Sequence, residues 1–116
     1  MIGIDLIKSS RMNRLMERFG DKALQKFLSQ NEIKLVKNYK TAAGFWAVKE
    51  ACSKALGVGI GSECSFHDIE IFKTLKGAPQ IKLSQKITTA FSVKETSVSI
   101  THDGEYAIAV VAIEKI

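Results

Sequence analysis

The chain of 116 residues is 46% hydrophobic and 25% charged, with one proline and a net charge of +5, which is the composition of an ordinary globular protein and the length of one domain. No apolar run approaches the roughly 18 residues of a membrane span, and the opening MIGIDLIKSS lacks the pattern of a cleaved signal peptide. Cys52 and Cys64 have neither metal-ligand nor redox spacing, so a disulfide framework is excluded and a reducing cytoplasm is the expected setting. The charge is uneven: residues 1–40 hold nine bases against four acids, and residues 41–116 hold eight of each. Such an asymmetry fits either an acidic partner docking on the N-terminal third or a solvated basic face.

In chain order, Ile2 to Ile7 reads as a short apolar strand interrupted by Gly3 and Asp5. Ser9 or Ser10 is placed to cap a helix in which Met12, Leu15, Met16 and Phe19 recur as a core stripe, with Arg11, Arg14 and Arg18 along its flank. Gly20 ends that helix. Further helices are expected from Asp21 to Leu28 and from Asn31 to Lys37, followed by a long one capped by Thr41 and stopped by Gly57. The glycine-rich stretch Gly57 to Gly61 follows a helix, whereas a dinucleotide fingerprint opens one after a strand. It is either a connector or a bare backbone suited to close approach by a ligand. Asp68 to Lys73 alternates, a turn at Lys76-Gly77-Ala78-Pro79 leads to a strand from Gln80 to Leu83, and Ser84 to Phe91 fits a helix. Ser97 to Thr101 is a strand, Asp103-Gly104 a hairpin turn signal, and Tyr106 to Glu114 the most strand-like run. The pattern predicts one α+β domain over residues 1–116, with N-terminal helices and one long buried helix packed on a mainly antiparallel sheet.

The long helix carries the densest chemistry. Glu50 and Lys54 are four apart and share a face. A buried carboxylate needs a cation, here Lys54, a metal ion, or both. A metal-holding carboxylate beside a phosphate-holding lysine is a phosphoryl-transfer arrangement; the bland alternative is an ordinary helical ion pair. Asp5 is a carboxylate in an apolar strand, which calls for a partner or for a capping role at the strand end. His102, beside Thr101 and Asp103, offers donors to an anionic ligand or is simply a turn histidine. His67 reads as surface, and Phe45 and Trp46 as core or interface.

Four blocks in this order, Gly3-Ile4-Asp5-Leu6, Trp46 to Gly57, Asp68 to Ile71 with Gly77 and Pro79, and Ser99-Ile-Thr-His102 followed by Glu105-Tyr106-Ala107, resemble the holo-acyl-carrier-protein synthases. These are the short bacterial 4′-phosphopantetheinyl transferases, and the likeness runs from residue 2 to residue 114. It implies the fold of that family and transfer of 4′-phosphopantetheine from coenzyme A to a serine of apo acyl carrier protein, in fatty acid biosynthesis. It implies that Asp5 and Glu50 hold Mg²⁺, that Lys54 sits on the pyrophosphate, and that Gly57, Pro79, Thr101 and His102 lie along the coenzyme. Glu50 or a metal-bound water is the family's suspect for deprotonating the serine. Arg11, Arg14 and Arg18, with Leu15, would meet the acidic carrier, and the short members assemble as homotrimers with active sites between subunits. One departure stands out: where the family usually has an arginine, this chain has Phe45, and Lys37, Lys40 or Lys76 would have to substitute. The competing expectation is a non-catalytic basic oligomer binding an acidic partner or nucleic acid. It leaves Asp5 without a reason, and the bases are not interleaved with nucleic-acid motifs, so neither nucleic acid nor membrane is the expected partner.

Overall fold

Strand β1 (Ile2–Lys8) forms where the sequence predicts a short apolar strand, with Gly3, Asp5 and Ile7 facing inward and Ile2, Ile4 and Leu6 outward and exposed. The computed structural model describes residues 1–116. After β1 come helices α1 (Ser9–Phe19), α2 (Asp21–Gln25), α3 (Gln30–Ile33) and α4 (Tyr39–Ala55), then a 3₁₀ turn at Phe66–Asp68. Strands β2 (Ile69–Lys73) and β3 (Pro79–Leu83), helix α5 (Gln85–Ala90), and strands β4 (Val93–Asp103) and β5 (Tyr106–Lys115) complete the order. One antiparallel sheet runs β1-β5-β4 and a separate hairpin pairs β2 with β3. The expected α+β architecture is borne out. No helix is long and apolar enough to cross a membrane.

The central strand β5 buries Ala107, Ala109, Val111 and Ile113 on one face, and α4 lies across that face and across β1. Small residues allow the close fit. Ala47, Ala51 and Ala55 of α4 are buried. A Cβ on Gly3 would run into the Ala51 carbonyl oxygen and lie 2.6 Å from the Ala55 nitrogen, so only glycine lets β1 reach this depth.

Several boundaries differ from the sequence reading. Helix α4 begins at Tyr39, because the Asn38 side chain, not Thr41, is the cap: its Oδ1 accepts from Lys40 N and Thr41 N at 2.9 and 3.3 Å. The helix expected through Leu28 stops at Gln25, and the one expected through Lys37 stops at Ile33. The chain restarts at a Ser29–Glu32 capping box, and the Phe27 carbonyl, which a continuing helix would keep, accepts instead from Lys49. Strand β4 starts four residues before Ser97, with a bulge between Val93 and Glu95. Asp103 pairs with Tyr106, so the hairpin loop is Gly104-Glu105, with Gly104 at φ 56° in the first central position. Of the expected α1 stripe only Met12 is fully buried and Met16 partly so; Leu15 and Phe19 are 41% and 43% exposed.

The strongest polar tie in the core was not anticipated. Lys49, wholly buried, donates to Glu32 Oε1 at 2.8 Å, Phe27 O at 2.7 Å and Phe66 O at 3.0 Å, spending all three of its protons. Glu32 in turn accepts from Ser29 N and, through Oε2, from Ile71 N. One ion pair thus fastens α3, the turn before β2, and β2 itself to α4. Burial pushes the lysine below its ordinary pKa, and the adjoining Glu32 carboxylate opposes that shift.

Removing one partner of this pair leaves a buried charge uncompensated. Glu32→Ala is expected to cost about 3–5 kcal/mol in urea unfolding. Glu114→Ala, which breaks the exposed Lys94–Glu114 pair, should cost at most about 1 kcal/mol. Equal losses would contradict the structural role given to Lys49 and Glu32.

Candidate active site

Gly3 delivers Asp5 to the side of α4. Two residues beyond the close contact, on the same face of β1, Asp5 Oδ1 lies 2.8 Å from Lys54 Nζ, which also donates to the Ile4 carbonyl at 3.2 Å. The lysine therefore bonds to the strand rather than to Glu50, its neighbour one helical turn away. Glu50 is only partly buried. Its pKa is raised first by desolvation and then by the Asp5 carboxylate, with Lys54 acting against both. Two acids 45 positions apart in sequence are thus brought to the neighbourhood of one lysine. Helix α4 ends just beyond: Gly57, at φ 80°, donates its N–H to the Lys54 carbonyl at 2.9 Å, leaving Lys54 in the last turn, where a cation is favoured.

No group of three or more His, Cys, Asp or Glu side chains converges anywhere in the chain. A structural zinc site is therefore not built here. Two hard oxygen donors whose repulsion is only partly relieved by a lysine do fit Mg²⁺, which takes one or two carboxylates and fills its shell with water and phosphate oxygens.

A second feature lies on the other flank of α4. A cleft of about 200 Å³ is lined by Thr41, Gly44, Phe45, Lys73, Pro79, Ile100 and His102. A Cβ on Gly44 would come within 3.3 Å of both Cε1 and Nε2 of His102, so glycine lets the imidazole lie against the helix. The lysine here is Lys73, not Lys37, Lys40 or Lys76. Thr101 does not join His102: successive strand residues face opposite ways, and Thr101 pairs with Ile108, which in turn pairs with Leu6, on the outer face. Glu50 is six residues beyond Gly44, roughly 9 Å along the helix. Strand β1 is two places from β4, roughly 10 Å across. The structure thus brings Asp5, Glu50, Lys54 and Gly57 to one end of α4 and Pro79 and His102 to the other.

A third feature is a groove of about 320 Å³ on α1 lined by Arg11, Arg14, Leu15, Arg18 and Phe19. The Arg18 guanidinium and the Lys26 ammonium stand 5.1 and 5.6 Å from the Phe19 ring centroid. Phe19 and Lys73 line these two clefts and are not singled out by the sequence. The first sat in an apparent core stripe, and the second was one of many surface lysines.

The model of the 4′-phosphopantetheinyl transferase superfamily matches residues 1–111. The chain belongs to that superfamily. A relative named holo-[acyl-carrier-protein] synthase from Sulfurimonas denitrificans is 73% identical over 114 residues, covering 98% of this chain and 94% of the relative. The crystal structure of Helicobacter pylori holo-[acyl-carrier-protein] synthase in complex with coenzyme A is 49% identical, with a TM-score of 0.95 over 98% of this chain and all of the other. The Neisseria meningitidis holo-[acyl-carrier-protein] synthase is 26% identical with a TM-score of 0.88, covering 98% of this chain and 97% of that one. The family likeness read from the four sequence blocks is borne out.

In this transferase the coupling of Asp5 to Glu50 is directly measurable. Carboxyl ¹³C titration by NMR is expected to show the Glu50 pKa falling in Asp5→Asn, where a like charge is lost, and rising in Lys54→Met, where a cation is lost. A Glu50 titration indifferent to both substitutions would mean that the two acids do not share a site.

Proposed function

We propose that this transferase moves 4′-phosphopantetheine from coenzyme A to a serine of apo acyl carrier protein in a Mg²⁺-dependent reaction of fatty acid biosynthesis, in the cytoplasm. The observation that carries the reading is the contact of Asp5 with Lys54 at 2.8 Å, one helical turn from Glu50 on the same face of α4, in a chain whose relatives bear the synthase name. The serine Oγ forms a bond to the β-phosphorus of coenzyme A. The bond from that phosphorus to the bridging oxygen breaks, adenosine 3′,5′-bisphosphate leaves, and the hydroxyl proton is released. Asp5 and Glu50 are the residues to hold Mg²⁺, which when bound neutralises charge on the pyrophosphate oxygens. Lys54, whose side chain is 51% exposed at the same spot, adds a point charge to the departing phosphate. The β1–α4 contact fixes the separation of all three groups before substrate arrives, so little reorganisation is needed. The groove on α1 presents Arg11, Arg14 and Arg18 around the exposed Leu15, a surface suited to the acidic carrier. A non-catalytic basic module, or one that binds nucleic acid, gives the paired carboxylates no task.

The outer face of the sheet supports self-association. Ile2, Ile4 and Leu6 are 73%, 60% and 57% exposed, and their register partners Ala112, Val110 and Ile108 extend the apolar surface. A monomer seldom leaves such a contiguous patch open. The proposed assembly is a homotrimer closed through this face. In it the carboxylate pair of one subunit and the His102 cleft of a neighbour combine, because within one chain they occupy opposite flanks of α4.

Mass spectrometry of apo acyl carrier protein incubated with this chain, coenzyme A and Mg²⁺ is expected to register the gain of one phosphopantetheine. Asp5→Ala and Glu50→Ala are each expected to abolish that gain while remaining folded, and Arg14→Glu to raise KM for the carrier more than KM for the coenzyme. Turnover retained in both acid variants would reject the site. Sedimentation equilibrium supplies a separate check: Leu6→Lys is expected to dissociate the trimer and lower turnover together, and a fully active monomer would contradict the shared site.

A further inference from the structure

Resting on the transferase reading and its metal, we infer that the buried pair Glu32–Lys49 positions Glu50. The pair sets the rotation of α4 about its own axis, and with it the place of the Glu50 carboxylate relative to Asp5. The face that α4 turns to the sheet is poorly suited to that task. Its side chains are Ala47, Ala51 and Ala55, and short side chains make shallow ridges. With Gly3 pressed against Ala51 and Ala55, they fix how near the helix lies.

The grip on rotation comes from another side, and from two segments at once. Lys49 donates to the carbonyls of Phe27 and Phe66 at 2.7 and 3.0 Å, and to Glu32 Oε1 at 2.8 Å. The rings of the same two phenylalanines pack on Trp46, with centroids 5.1 and 4.9 Å away, and on each other at 6.0 Å. Trp46 and Lys49 are three apart and share a face of α4. The chain ahead of α3 and the turn before β2 thus hold the helix by an indole and by an ammonium. Glu32 ties this grip to β2 by accepting from Ile71 N at 2.8 Å. Glu50 follows Lys49 directly, about 100° further round the helix. Turning α4 by about 20° would move a group at its outer radius of about 5–6 Å by about 2 Å. That is a whole Mg²⁺–oxygen bond, and Mg²⁺ demands near-octahedral geometry. A buried ion pair stabilises little more than an apolar pair of the same shape, and setting register is its best-attested use.

Binding of Mn²⁺ with coenzyme A present, followed by the electron paramagnetic resonance of the free ion, tests the role. Glu32→Gln/Lys49→Met removes both charges together, and Glu32→Asp keeps them but shortens the acid. Each is expected to bind Mn²⁺ about tenfold more weakly and to lose kcat, with KM for the carrier as in the wild type. Ile87→Ala empties buried volume on α5, which packs against β4; it is expected to lower stability and keep the wild-type affinity for Mn²⁺. Wild-type affinity in either folded pair variant, or an equal loss in Ile87→Ala, would overturn the positioning role. If the double variant does not fold, Glu32→Asp decides alone. Glu50→Gln separates the two readings: a Mn²⁺ affinity that it leaves unchanged would overturn the metal reading of the transferase instead.

Discussion

The molecule depends on a contact that excludes a side chain. At Gly3 the backbone of β1 presses on α4 so closely that a Cβ would strike the Ala51 carbonyl, and the buried alanines at 47, 51 and 55 make the facing surface of the helix equally shallow. What this closeness gains in packing is modest. What it positions is decisive, because Asp5 follows two residues later on the same strand face and so stands beside Glu50 and Lys54. A larger residue at position 3 would separate the strand from the helix and the first acid from the second.

Adjacent residues on α4 divide structural and chemical work. Lys49 points into the core and binds Glu32 and two backbone carbonyls; Glu50, one residue on, is only partly buried, and burial and then the Asp5 carboxylate push its pKa up. The buried pair holds α4 to α3 and β2, and so fixes the helix that bears Glu50 and Lys54. It also fixes β2, whose last residue, Lys73, reaches the far cleft. The scaffold cation is out of reach of solvent and substrate, whereas Lys54 remains open to both.

Much of this was legible in the sequence, for identifiable reasons. The strand character of β1 and β5, the glycine stop after α4 and the α+β order are local patterns, and local patterns survive folding. The approach of Asp5 to Lys54 was legible only through the family likeness, since periodicity cannot pair residues so far apart in sequence. The Glu32–Lys49 bond stayed hidden for the same reason. The extent of α2 and α3 was misjudged because a tertiary donor claims the Phe27 carbonyl, which overrides helical propensity. The α1 stripe misled in an instructive way: the apolar residues at 15 and 19 have helical spacing but face outward with the arginines rather than into the core. Thr101 and His102 look like a unit in one dimension and are parted by the strand's two-residue period.

The carboxylates and the His102 cleft lie on different flanks of one helix, and the proposed trimer would bring them together across its apolar sheet face. All of it requires that Asp5 and Glu50 engage one divalent ion. Paramagnetic broadening of carboxyl ¹³C signals by Mn²⁺, in the presence of coenzyme A, tests that requirement most directly. The account predicts that both resonances broaden together at substoichiometric metal, and that replacing either acid with its amide removes the broadening at the other. Broadening confined to one carboxylate, or persisting at each when the other is replaced, would contradict it.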